Sequence, residues 1–322
     1  MTKNNYRGTE VQEFLRCHAR YNYGYIQNLE PKQRNEKLTI GSAIHKFLEL
    51  FYSGHGVAKS LEALIQYIDE NNISDDEVAH QDLKELAENI CINYVSHYKN
   101  DLRDYKIIAV EMPFNIPLNP DTNYTGIIDL IVEDRDGKVW FMDHKTTNSI
   151  DIFDKNSDMD RQISRYWAAL EVMGYNIQGF IYNILLKDFP QPPKVLKSGA
   201  LSKDKSQKTD YTLYQQAIVD NGLNPDDYAD FLQHLQDQPK EFFRRITVER
   251  TAQERKASLD ELEQVIEDIQ IKSELLKPKW YRNTTKDCHW DCGFKSLCQA
   301  EMDGSNAEHI RMELFKVKDV AE

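Results

Sequence analysis

Two aspartates and a lysine interrupt an otherwise apolar stretch between Tyr124 and Thr147. The runs Gly126 to Val132 and Lys138 to Thr146 flank Asp134-Arg135-Asp136-Gly137, whose Asp-Gly pair favours a tight reversal, so the pattern predicts a β-hairpin. Apolar residues dominate both arms, as in strands buried in the middle of a sheet. Asp143 and Lys145 stand at i and i+2 of the second arm and share a face. Pairing of the arms brings Asp129 beside them. Two carboxylates converging inside a sheet are costly unless a positive charge lies between them. A hard divalent cation such as Mg²⁺ answers that cost with oxygen ligands. Held there, it can activate a water and stabilise a developing phosphoryl charge, and Lys145 can position the water or steady the phosphate. The Asp/Glu-x-Lys spacing also occurs at Glu30-Pro31-Lys32, Asp82-Leu83-Lys84, Asp104-Tyr105-Lys106, Asp136-Gly137-Lys138 and Glu254-Arg255-Lys256. Asp143-His144-Lys145 differs from these in closing an apolar strand that follows Asp129.

The second chemistry-bearing group is at the C-terminal end, where Cys288-x3-Cys292-x5-Cys298 sits in a short loop. Thiolates at this spacing suit zinc or an iron–sulfur cluster. Three ligands are one short of four, and Cys17, Cys91 or His289 can complete the set. In a reducing compartment the five cysteines are not expected to form disulfides. Cys91, among Leu86, Ile90, Ile92 and Tyr94, reads as a small buried hydrophobe.

The elements that must position these groups follow from periodicity. A helix is expected over 9–29, with Cys17 inside it, and another over 40–53, where Ile44, Phe47, Leu48 and Phe51 form an apolar stripe beside His45. Two more helices are expected over 57–99, separated by residues 71–76. Residues 105–118 read as a strand containing the single acid Glu111, either an exposed position or a further carboxylate near the metal. A polar loop over 148–158 leads to a helix from about Met159 to Met173, in which Gln162 and Tyr166 share a face. Residues 177–187 are a further strand. Residues 188–209 form a basic, proline-containing loop with Lys194, Lys197, Lys203, Lys205 and Lys208, read as a solvated flap able to contact phosphates. Helices over 210–236, a strand over 241–248 and a long charged helix over 251–275 complete the chain. There is no Gly-x4-Gly-Lys-Ser/Thr phosphate loop.

The 322 residues suffice for a large core. A formal charge of −13 argues against a general nucleic-acid coat or an anionic-membrane binder, while leaving room for a local basic groove. No apolar run reaches the length of a membrane span, and the first residues lack the apolar segment of a signal peptide, so a cytoplasmic location is expected.

Assembled in order, these residues resemble the RecB-like branch of the PD-(D/E)XK nuclease superfamily in its iron–sulfur form. That form is found in AddB-type nuclease domains, CRISPR adaptation nucleases and phage exonucleases. The resemblance is carried by His45 in Gly41-Ser42-Ala43-Ile44-His45, by Gly126-Ile127-Ile128-Asp129, by Asp143-His144-Lys145-Thr146, by Gln162-x3-Tyr166, and by Cys17 with Cys288, Cys292 and Cys298. Ile128 stands where the superfamily name places proline, and the first late cysteine gap is three residues rather than two. The basic loop and Phe242-Phe243-Arg244 look most like phage-encoded members.

The resemblance implies an α/β fold with a mixed β-sheet flanked by helices, a helical insertion and a cluster-bearing C-terminal segment. The single nuclease unit 1–322 then divides into N-terminal helices 1–55, a helical segment 56–100, a nuclease core 101–190, a basic loop and helices 191–250, and a C-terminal helix and cluster segment 251–322. It implies Mg²⁺ or Mn²⁺ held by His45, Asp129, Asp143 and the backbone carbonyl of His144. Lys145, Gln162 and Tyr166 act with the aspartates in catalysis and strand positioning. A [4Fe–4S] cluster on Cys17, Cys288, Cys292 and Cys298 staples the chain ends, with Zn²⁺ as the alternative. The implied activity is DNA phosphodiester hydrolysis, as an exonuclease in recombination, repair or replication, with DNA and a helicase, single-strand annealing protein or other recombination protein as partners. A non-catalytic DNA-binding or assembly module on the same fold, and a zinc-stapled protein, are the alternatives.

Overall fold

The computed structural model describes residues 5–32, 36–71, 76–276, 278–289 and 291–318. Eight strands are present among them: β1 Asn5–Arg7, β2 Leu29–Pro31, β3 Lys106–Asn119, β4 Thr122–Glu133, β5 Val139–Thr147, β6 Ile177–Leu186, β7 Phe243–Val248 and β8 Phe315–Val317. Six of them form one mixed sheet in the order β1-β4-β5-β6-β7, with β3 also on β4. The β3–β4 and β4–β5 pairs are antiparallel, while β5–β6 is parallel and connected through the helix Arg161–Val172. The expected hairpin forms, its turn held by Asp134 accepting from the Asp136 and Lys138 amides at 2.9 Å each. β3 pairs with β4 alone, and this edge position accommodates Pro113 and Pro117, which have no amide to give a second neighbour.

Side chains alternate across the central strands, so each face has its own core. On one face Ile131, Phe141 and Phe180 pack with Ile163 and Trp167, and with Leu262 and Ile266 of the helix Ala252–Glu274. On the other, Leu130, Val132, Met142 and Ile181 meet Ile44, Phe47 and Leu48 of the helix Glu36–Tyr52. Behind these lie Leu64, Ile68, Ile90 and the fully buried Cys91, from the helices Val57–Asn71 and Glu77–His97. A separate small core forms around Leu201, Tyr214, Ile218, Tyr228, Phe231 and Leu235.

The helix expected over 9–29 is broken. Gly8–Arg16 ends at Cys17, whose backbone is extended (φ −164°, ψ 118°), and helical structure resumes at His18. The reason is tertiary. The Ala19 amide, which a continuous helix would give to Leu15, donates instead to the Tyr281 carbonyl at 3.0 Å. The His18 ring is held between Phe14 and Tyr281, at centroid distances of 4.1 and 4.2 Å. The expected 148–158 loop also differs, holding a short helix Asp151–Asn156 and a 3-10 turn Ser157–Met159. The expected 71–76 break lies partly outside the described residues. The chain ends meet: β2 pairs antiparallel with β8, and Arg16 bridges to Asp291 at 2.7 Å.

Gly126 permits one close approach that the site depends on. A Cβ there would come within 2.6 Å of the Phe114 ring and 3.5 Å of Tyr166, the two rings packing edge-to-face at 5.4 Å. Gly126→Ala is therefore expected to destabilise the protein by about 1–3 kcal/mol, read from chemical denaturation, because a backbone strand and two ring positions must shift.

Candidate active site

The β4–β5 ladder runs from Glu133↔Val139 to Leu130↔Met142 and ends there. β4 continues to β1 through Asn123 to Thr125, while β5 stays with β6 to its end. β3 occupies one whole edge of β4, so β1 and β5 share the other, and residues 126–129 lie between them. Continuing the β4–β5 register by one step would pair Asp129 with Asp143. At this fork the His144 amide donates to Asp129 Oδ2 at 2.7 Å, and the His144 carbonyl accepts from His45 Nε2 at 2.8 Å. Two side chains thus satisfy the backbone groups that β4 no longer reaches.

That geometry settles the His45 tautomer. A carbonyl accepts only, so the ring proton is on Nε2 and the Nδ1 lone pair is free. Nδ1 lies 3.7 Å from Asp129 Oδ2. Burial holds the His45 imidazole toward its neutral form, outweighing Asp143. A lone pair and a carboxylate therefore face each other.

Glu111 completes the group. Its backbone is left-handed (φ 45°), unusual for a residue with a Cβ. It sits where the β3–β4 register would place it opposite Asp129, a pair missing from the ladder. Ligand atoms of His45, Glu111 and Asp129 all lie within 4.8 Å of one another. His45 and Glu111 border a cavity of about 500 Å³ lined also by Gly41, Ser42, Lys46 and Thr146. Burial, then the nearby Glu49, push the Glu111 carboxyl up to about 7. Burial and Asp143 hold that of Asp129 well above the usual carboxylate range. Crowded acids beside an imidazole lone pair fit a divalent cation, with nitrogen and oxygen donors already converged.

Asp143 is beside this group and faces the helix Arg161–Val172. Its Oδ1 accepts from Gln162 Nε2 at 3.1 Å. Its Oδ2 is buried against Lys145 Nζ, 2.6 Å away. Burial opposes the Lys145 charge, but Asp143 outweighs it and the ammonium is held above its ordinary range. Gln162 Oε1 accepts from Lys145 Nζ at 3.2 Å, so one amide fixes both members of the ion pair. The helix starts where it must: Asp160 caps it by accepting from the Gln162 amide at 2.8 Å. Tyr166, one turn on, packs on Phe114.

One support was not visible in the sequence. The buried His144 ring accepts at Nδ1 from Asn183 Nδ2, 2.8 Å away, and stacks on Tyr52. Asn183 also donates to Tyr94 and accepts from Arg245 Nε at 3.2 Å. Arg245 forks onto Asp101 and lies 3.8 Å over the Tyr98 ring. Burial keeps His144 neutral. The sequence marks 244–245 only as two arginines in a strand, and nothing in it places them under His144.

Cys17, Cys292 and Cys298 pack against one small core around Tyr23, Phe294 and Leu297. Cys17 Sγ accepts from the Asn283 amide at 3.4 Å, Cys288 Sγ from the Thr285 amide at 3.5 Å, and Cys298 Sγ from Arg282 Nε at 3.2 Å. Burial raises the Cys292 thiol, with Cys288 and Cys17 adding to the effect. Donors aimed at sulfur suit thiolate ligands. His289 is exposed. Among the five lysines of the 188–209 loop, Lys208 pairs with Asp188 at 2.8 Å and Lys203 donates to the Asp227 carbonyl. Lys194, Lys197 and Lys205 are exposed, and none of the five lines the cavity beside His45.

The buried Arg245–Asp101 pair carries a clear expectation. Arg245→Met leaves Asp101 uncompensated and should cost about 3–5 kcal/mol, whereas loss of the more exposed Arg255–Glu171 pair in Glu171→Gln should cost about 0–1 kcal/mol. Urea unfolding of the two variants checks the difference.

A family model described as the PD-(D/E)XK nuclease superfamily matches residues 9–299, a span containing all the site residues above. Among solved structures, the chain is similar to one titled "Crystal structure of SSO0001", at 12% identity over 93% of this chain and 88% of that one, with a TM-score of 0.36. No curated protein matches the chain. With a match over most of its length, a mixed sheet flanked by helices, and a histidine–carboxylate group at the fork of that sheet, the chain belongs to the PD-(D/E)XK nuclease superfamily.

Proposed function

We propose that this protein is a deoxyribonuclease that hydrolyses phosphodiester bonds with Mg²⁺ or Mn²⁺. The observation that carries this reading is the convergence of His45, Glu111 and Asp129 within 4.8 Å beside the Lys145–Asp143 pair. His45 through Nδ1, Asp129, Asp143 and Glu111 would hold the cation, with the His144 carbonyl, which already accepts from His45, a further oxygen beside them. When bound, the ion supplies Lewis-acid charge to water and to a phosphate oxygen. Lys145, kept protonated by Asp143, acts as a hydrogen-bond donor and not as a base: it would orient the attacking water and steady charge on the phosphate. Gln162 locks Lys145 and Asp143 in place, and Tyr166 next to it offers a face and a hydroxyl to the strand.

Cys17, Cys288, Cys292 and Cys298 are assigned to a [4Fe–4S] cluster that staples the chain ends. Zinc is the alternative. The resemblance to phage exonucleases favours release of nucleotides from a strand end, in recombination, repair or replication beside a helicase or annealing protein.

The first test is cleavage of end-labelled single- and double-stranded DNA by anaerobically purified protein with Mn²⁺. Asp143→Ala and Lys145→Ala should each lower the rate by roughly 10²-fold or more. Full activity in either variant, or no metal-stimulated cleavage by the wild type, would sink the proposal, and the product ladder reports exonucleolytic polarity. The cluster assignment has its own check. The protein should be brown with visible absorption that zinc cannot give, and Cys298→Ala should bleach it and lower the melting temperature. A colourless protein containing stoichiometric zinc would overturn it.

A further inference from the structure

On the other side of Gln162 and Tyr166 lies a second cavity, of about 460 Å³, lined by Gly8, Thr9, Tyr124, Arg161 and Arg165 in addition to those two. Arg165 is 2% exposed, yet among the described residues no carboxylate pairs with it; its one hydrogen bond is from Nε to the Ser258 carbonyl at 3.3 Å. A guanidinium has five N–H donors, so most of them have no protein partner among the described residues, while Glu261 and Asp160 favour the charge without an ion pair to it. The neighbouring buried arginine shows the contrast. Arg250 gives Nε to Ser164, Nη1 to the Glu249 carbonyl and Nη2 to the Ser157 carbonyl. The two acids at the cavity are engaged elsewhere, Asp160 by the Gln162 amide and Tyr182, and Glu13 by Arg20.

The first turn of the helix Gly8–Arg16 forms the facing wall, and its N-cap residue, Arg7, provides no side-chain cap. A helix N-terminus leaves amide donors unanswered and carries partial positive charge. A buried guanidinium with spare donors and a helix N-terminus without a side-chain cap, across one cavity, favour an anion with several acceptor oxygens, with Glu10 the acid already in that first turn.

We propose that this cavity binds a phosphate of the nucleic-acid strand next to the scissile one, with Arg165 as its anchor. The inference rests on the nuclease reading for the identity of the strand. Gln162 is the link, since it lines this cavity and also contacts Asp143 and Lys145. The occupied cavity would fix the register of the strand on the catalytic group, and would act on an acidic protein whose net charge of −13 offers no general attraction to DNA.

The test is binding without catalysis: fluorescence anisotropy in EDTA with a labelled single-stranded oligonucleotide, beside a set in which one phosphate at a time is replaced by a neutral methylphosphonate. For the wild type, one position should weaken binding by about tenfold. Arg165→Met should weaken the parent oligonucleotide by a similar factor and lose its response to that one position, the non-additivity of a direct contact. Thr9→Glu should behave likewise. Thr9 is exposed on the helix first turn, where an acid is favourable for folding, so this variant keeps the test valid if Arg165→Met fails to fold. Wild-type affinity in Thr9→Glu, an equal loss at every methylphosphonate position in Arg165→Met, or no position-specific effect in the wild type would overturn the proposal. Coupling without any cleavage by the wild type would instead remove the nuclease reading and leave the phosphate site standing.

Discussion

The active region depends on where β4 stops pairing with β5. An antiparallel ladder consumes the amide and carbonyl of every other residue, and ending it inside a buried sheet leaves groups that cost about 1–3 kcal/mol each if unanswered. Here Asp129 takes the His144 amide and His45 takes the His144 carbonyl. The sheet can therefore open without a backbone penalty, and β4 passes on to β1 while β5 remains with β6. The same two contacts bring a carboxylate and an imidazole lone pair to one point. Closing the fork with regular pairing would remove both the space and the donors.

Each layer of the fold contributes one side of that opening. The helix Glu36–Tyr52 delivers His45, and Gly41, one turn before it, lets the helix approach β5, since a Cβ there would stand 3.1 Å from the Thr146 hydroxyl. The helix Arg161–Val172 delivers Gln162 to the opposite face. β3 delivers Glu111 through a left-handed residue. That strained conformation is tolerated because the pairs on either side, Val110↔Leu130 and Met112↔Ile128, hold the strand in register. Beneath His144, the Arg245–Asp101 pair and Asn183 satisfy a buried imidazole that would otherwise have a free nitrogen. Such a network is more a device for fixing one arrangement than a source of stability, because desolvation offsets most of the ionic gain.

The cysteine region shows how a local rule yields to a distant partner. The segment 9–29 has the apolar spacing of one helix, and the chain departs from it at Cys17, because the Tyr281 carbonyl captures the Ala19 amide. The extended residue turns the cysteine toward Asn283 and the late thiols. A helix interior would have kept that side chain on a fixed face, 3.6 residues from its neighbours.

Much of the fold was legible in the residues alone, because it rests on period and turn chemistry. The alternation of β4 and β5, the Asp-Gly reversal between them, the Gln162-x3-Tyr166 spacing and the stripe around His45 are all local patterns, and each element forms as expected, although β4 begins at Thr122 rather than Gly126 and the helix bearing His45 at Glu36 rather than Ile40. Asp143 and Lys145 share a face because a strand has a period of two, which no tertiary contact can change. The role of Glu111 was not legible, since an acid in a strand reads equally as an exposed position, and only the fork and the left-handed backbone turn it toward His45 and Asp129. Arg245 under His144, the single hydrogen bond of the buried Arg165 and the break at Cys17 were beyond sequence for the same reason. Each depends on which groups from 60 or more positions away supply, or fail to supply, a hydrogen-bond partner in a buried place, and that is decided only when the layers close.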